Sequence, residues 1–158
     1  MDVLFTSPLG RAAALVALLA LTTLGWYLAS RRAGRMRPAG RLTSPARPVF
    51  DLAAVGAPER APATFVQFSS AVCSPCRHVA RVLTALSAAD DDVAHIELDA
   101  ALHPDLVRTY GVLRTPTVLL VGADGTIHGR ATGAMTAAQA REALATLHLS
   151  EPHEPAAP

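Results

Sequence analysis

Cys73-Ser74-Pro75-Cys76 contains the only two cysteines of the chain. Thiols at this spacing can exchange with a partner disulfide or contribute to a thiophilic metal site. Their neighbours favour the first chemistry. Upstream, Ala63-Thr64-Phe65-Val66-Gln67-Phe68 reads as a buried strand, and downstream Val79, Val82, Leu83 and Leu86 recur at helical spacing. A turn from strand to helix puts the first sulfur at a helix N-terminus. There, unpaired amide N–H groups and the helix dipole favour thiolate over thiol. The motif reads as a redox site.

A metal-binding module is the first rival. It would need Cys73, Cys76 and one of the six histidines. His78 follows Cys76 by only two positions, a spacing that points it elsewhere on a helix. With no second C-x-x-C to close a tetrahedral site, no metal is expected. The second rival is a non-catalytic binding module, which would need neither cysteine. Arg77 and Arg81 could hold a thiolate or dock an acidic partner, although arginines at such spacing also make an ordinary solvated helix face.

The elements that must carry this motif divide the chain. At 158 residues it holds one ordinary domain. From Ala12 to Ala29 there are 18 residues without a charge, which at ~1.5 Å each give roughly 27 Å of helix, close to a bilayer core. Trp26 and Tyr27 stand near its end, where interfacial aromatics belong. A cleaved signal would have a shorter apolar region and a small-x-small site; here Arg31-Arg32 stops the run, so an uncleaved transmembrane helix over 12–30 is expected. Arg11 precedes the span, while Arg31, Arg32, Arg35, Arg37 and Arg41 follow it. Basic flanks stay in the cytoplasm, which puts the redox domain inside. The net charge of +1 gives no ground for nucleic-acid binding. All 14 basic residues are arginine, and with abundant alanine this suggests a GC-rich genome.

Residues 31–48 are rich in Arg, Pro, Gly and Ala and read as a linker behind the short segment 1–11 and the span. Val49-Phe50-Asp51-Leu52 is expected to be a short edge strand opening a domain over 49–149, and 150–158 a disordered tail. Inside the domain a helix runs to about Ala89, followed by a strand at His95-Ile96-Glu97-Leu98 and a short helix at 105–110 ended by Gly111. Thr117–Val121 reads as a central strand. Ala123-Asp124-Gly125 is a hairpin turn, 126–130 its returning strand, and Thr136 caps a last helix over Ala137–Leu147. This order gives an α/β fold, a mixed sheet with helices on both faces.

The chain resembles the thioredoxin family over roughly residues 49–149, as a membrane-anchored, thioredoxin-like bacterial protein would. Cys73-Ser74-Pro75-Cys76 stands where the family has Cys-Gly-Pro-Cys, and Tyr110-Gly111-Val112-Leu113-Arg114-Thr115-Pro116-Thr117 matches its cis-proline segment. Gly125 falls in the hairpin and Gly133-Ala134-Met135 precedes the last helix. The resemblance implies a thioredoxin-like fold and a thiol–disulfide oxidoreductase. Cys73 would be the nucleophile and Cys76 the resolving thiol. Pro116 would be a cis-proline facing the substrate, with Thr115 bonding the substrate backbone. No cofactor is implied beyond the cysteine pair. The implied partners are protein disulfides and an upstream dithiol reductant or transmembrane electron carrier.

Two departures bear on mechanism. Val72 replaces the family's tryptophan, removing a flat apolar surface beside the site. Gln67, six positions before Cys73, replaces a buried aspartate that handles the proton of the resolving thiol; an amide cannot act as that base. His95, where the family often has lysine, could take part of this proton handling or could be a plain strand histidine facing water. Electron flow follows the compartment. Inside, a reducing pool favours disulfide reduction. Outside, the chain would resemble tethered thioredoxins that serve cytochrome c maturation or other envelope disulfides.

Overall fold

The computed structural model describes residues 8–32, 34–38, 49–58 and 61–148. Contacts divide it into two units, Met1–Ala33 and Gly34–Pro158. Residues 1–7, most of the linker (39–48) and the tail from 149 onward lie outside the described residues.

The first unit is one helix, α1 (Pro8–Arg32), of 25 residues. Its segment Leu9–Ala29 is long and apolar enough to cross a membrane, and none of it is buried against protein. Leu15, Val16, Leu19, Leu21 and Leu24 all stand exposed. Thr22 and Thr23 return their hydroxyls to the Leu18 and Leu19 carbonyls at 2.9 and 2.7 Å, so neither hydroxyl needs water.

The second unit carries β1 (Arg37–Pro38), β2 (Ala63–Ser69), α2 (Ser74–Ser87), β3 (Val93–Asp99), α3 (Pro104–Thr109), β4 (Thr117–Gly122), β5 (Ile127–Thr132) and α4 (Ala137–His148). The sheet order is β1-β5-β4-β2-β3. Among the described strands only β2 and β3 run parallel; the other neighbours are antiparallel. Strands β2 and β4 form the centre and are buried at every position, as their apolar runs require. One core, around Phe65, Val79, Leu83, Val118, Met135 and Leu144, fills the face under α2 and α4. The other, around Phe50, Val66, Phe68, Leu98 and Leu119, fills the opposite face with α3 residues Leu106 and Val107. This is the expected α/β layering, with helices on both faces.

The hairpin turn between β4 and β5 is set by Asp124. Its carboxylate accepts from the Thr126 amide at 2.9 Å and the Thr126 hydroxyl at 2.6 Å, and these two bonds hold its pKa below the usual range. Gly125 takes φ +78° beside the Phe50 carbonyl, where a Cβ would not fit. Val49 makes a single bridge to Thr126, not the short strand expected at 49–52. The Asp51 carboxylate accepts from the Ala54 amide at 3.0 Å and turns the chain into a 3-10 turn, Ala53–Val55.

Part of the linker stretch lies on the sheet. Within 31–48, Arg37 and Pro38 pair with Arg130 and Gly129, the Gly34 amide donates to the Thr132 carbonyl at 2.9 Å, and Met36 packs on the first core. Gly129 makes room for it, since a Cβ there would come within 2.5 Å of Met36 Cγ.

Candidate active site

The site forms where β2 leaves the sheet. Ser69 ends that strand, and the Cys73 amide turns back to the Ser70 carbonyl at 3.1 Å. Cys73 is then the N-cap of α2, and its own sulfur accepts from the Cys76 amide at 3.2 Å. Pro75 stands in the first turn, where a missing N–H costs nothing. The two cysteines form a disulfide. Cys73 is half-buried whereas Cys76 is 1% exposed, so a partner can reach only the first sulfur. The Cys73 sulfur thus sits against the Cys76 amide at the N-terminus of α2, where the positive dipole end favours an anion.

A second loop joins the first. Thr115–Pro116 is a cis peptide, and the Thr115 hydroxyl lies 3.2 Å from the Ser70 hydroxyl. The Pro116 carbonyl accepts from the Gly133 amide at 2.9 Å, and Thr117 Oγ1 donates to the Arg114 carbonyl at 2.8 Å. Around this junction Val72 is 93% and Leu113 95% exposed, so the position of the family's tryptophan is an open aliphatic one. Arg77 reaches back to Ser74 Oγ at 3.1 Å. Among the described residues no three His, Cys, Asp or Glu side chains gather as metal ligands.

Residues 56–146 match the thioredoxin family model. The chain belongs to the thioredoxin family. Chloroplastic thioredoxin z is 26% identical, with a TM-score of 0.52 over 58% of this chain and 82% of its own. A thioredoxin variant from Halobacterium salinarum is 22% identical, with a TM-score of 0.52 over 58% and 79%. Mitochondrial thioredoxin 3 from Saccharomyces cerevisiae is 28% identical, with a TM-score of 0.49 over 55% and 81%. Comparison with curated protein sequences gives no match. A thioredoxin domain with a bonded Cys73–Cys76 pair is the framework of thiol–disulfide exchange.

Under Cys76 lies the polar part of this thioredoxin domain. Gln67 is fully buried on β2, where an unpartnered amide would be costly. Its Nε2 donates to the Cys76 carbonyl at 3.0 Å, and lies 3.3 Å from Glu97 Oε1 and 3.4 Å from Ser69 Oγ. Its Oε1 faces His95 Nε2 at 3.3 Å, and His95 Nδ1 lies 3.2 Å from the Thr84 hydroxyl. Both ends of the amide are therefore satisfied. His95 is half-buried and bonded on both nitrogens, not turned to water. Glu97, a residue not singled out in the sequence, completes the set.

Burial pushes the His95 pKa down from its ordinary 6.5, and the Glu97 carboxylate raises it partway back. The folded domain thus keeps His95 neutral where the unfolded chain already takes up a proton. Stability should fall as pH drops below about 6.5, and go on falling until the folded imidazole also protonates. Thermal denaturation midpoints measured across this range should show a shallower acid decline for His95→Gln than for the parent. An unchanged decline would mean that the acid sensitivity has another source.

Proposed function

We propose that this chain is a single-pass membrane-anchored disulfide reductase. The carrying observation is the asymmetry of the pair: Cys73 is reachable and caps α2 with its sulfur, while Cys76 is buried one turn further on. In the reaction, the Cys73 thiolate attacks one sulfur of a partner disulfide and expels the other as a thiolate. The Cys76 thiolate then attacks Cys73 Sγ, releases the second partner thiolate, and leaves Cys73–Cys76 oxidised. An upstream dithiol or a transmembrane electron carrier restores the pair. The Thr115 hydroxyl meets Ser70, whose carbonyl accepts from the Cys73 amide, which supports a role for Thr115 and Pro116 in holding an extended partner segment; the Pro116 nitrogen has no hydrogen to compete for that segment's carbonyls. Retention of both cysteines favours catalysis over a pure binding role.

The anchor reading rests on α1, and the inward orientation on the arginines that follow it. A membrane-impermeant thiol reagent, applied to intact and permeabilised cells after mild reduction, tests the orientation. Labelling of Cys73 only after permeabilisation is the expected result. Labelling of intact cells would overturn the orientation and favour envelope disulfides, cytochrome c maturation among them, as the substrates.

A further inference from the structure

A buried thiol that must attack a mixed disulfide has to lose a proton first, and Gln67 cannot take it. The sheet register shows where a carboxylate re-enters. Gln67 on β2 pairs with Glu97 on the parallel neighbour β3, and side chains at paired positions of adjacent strands share a face. Here that face is the one covered by α2. The Gln67 amide nitrogen touches both the Cys76 carbonyl at 3.0 Å and Glu97 Oε1 at 3.3 Å, so the carboxylate is held within two hydrogen-bond lengths of the Cys76 backbone. On its outer side Glu97 joins Arg77, Ala80 and Arg81 around an open surface depression, so water has access to it.

We infer that Glu97 is the group that accepts the proton of Cys76, replacing from the next strand the carboxylate absent at position 67. The inference rests on the reading of Cys76 as the resolving thiol. In the step, the Cys76 S–H proton passes through water to the Glu97 carboxylate. The Cys76 thiolate forms the bond to Cys73 Sγ, and the partner sulfur leaves with the electron pair of the broken S–S bond. The carboxylic acid at Glu97 then returns its proton to solvent through the depression. Gln67 is a positioning residue, holding the carboxylate with Nε2 while its Oε1 is engaged by His95. Among the described residues, the charged and titratable groups around Glu97 are His95 and, by register, Asp99 on its own strand, and Arg77 and Arg81 on α2, with Cys76 reached through Gln67; at the paired positions β2 carries the uncharged Gln67 and Ser69.

The test uses the reduced full chain in detergent and an aromatic disulfide whose released thiol absorbs visible light. The first equivalent released reports attack by Cys73, and the second reports attack by Cys76 on the mixed disulfide. Glu97→Gln keeps an oxygen acceptor for Gln67 Nε2 and removes only the base. It should leave the first release unchanged and slow the second by about tenfold or more at neutral pH, with the deficit shrinking as hydroxide takes over at higher pH. Adding Gln67→Asp to that variant should restore the second release. A second release with the parent's rate and pH profile in Glu97→Gln would overturn the inference and leave Glu97 as a hydrogen-bond acceptor only. Absence of the first release in the parent chain would instead overturn the reading of Cys73 as nucleophile, and the inference with it.

Discussion

Cys76→Ser should turn the protein from a turnover catalyst into a trap. Cys73 keeps its position as the cap of α2, so attack on a partner disulfide proceeds and stops at the mixed disulfide. With no second thiol one turn away, that adduct persists, and disulfide reduction driven by a dithiol falls to background. Cys73→Ser should also fall to background but capture nothing, because the remaining sulfur is 1% exposed. The contrast between the variants is the informative result. A hydroxyl in place of the buried Cys76 sulfur costs about 1–2 kcal/mol if it finds no partner. Cys76→Ala, which carries no such group, should trap equally and separates chemistry from folding. Non-reducing electrophoresis of the full chain with a model protein disulfide reads both outcomes. Equal capture by the Cys73 and Cys76 variants would contradict the assigned order of attack.

The place of the first sulfur could be read from sequence because its determinants are local: a strand, a C-x-x-C with proline and an amphipathic helix follow one another without a break, which puts Cys73 at the helix end. The roles of the two sulfurs came instead from the resemblance to the family. The Thr115-Pro116 loop was legible in the same way, through its match to a family segment. Glu97 was not legible. Its place beside Gln67 depends on the register of β2 against β3, strands separated by the whole of α2. Nothing in the local pattern of His95-Ile96-Glu97-Leu98 shows that this exposed glutamate also touches a buried amide. His95 shows the same limit. Its strand was expected, but its bond to the Thr84 hydroxyl comes from the packing of α2 across β3.

The strand β1 was missed for a stronger physical reason. Two residues, one of them proline, carry no periodicity, and their neighbours are those of a solvated linker. The pairing is imposed by the tertiary surface: the outer edge of β5 offers unpaired backbone groups, and Gly129 leaves space for Met36. Gly34 makes the approach possible. It adopts φ +77°, and a Cβ on it would stand 1.9 Å from the Ala134 carbonyl oxygen. Since that atom belongs to backbone, no rotamer change relieves the overlap, and φ in this region adds ~1–2 kcal/mol for a residue other than glycine. Gly34→Ala should therefore release 34–38 from the sheet, with loss of the Gly34–Thr132 bond, the pairing at Arg130 and Gly129, and the packing of Met36. A destabilisation of about 2–4 kcal/mol is expected. Amide hydrogen exchange should quicken along the outer edge of β5 while β2 and β4, buried at every position, keep their protection. Met36→Ala, which leaves the backbone pairing intact, should cost less and spare the β5 amides. If the β5 amides of Gly34→Ala exchange as slowly as those of the parent, β1 is not what covers that edge.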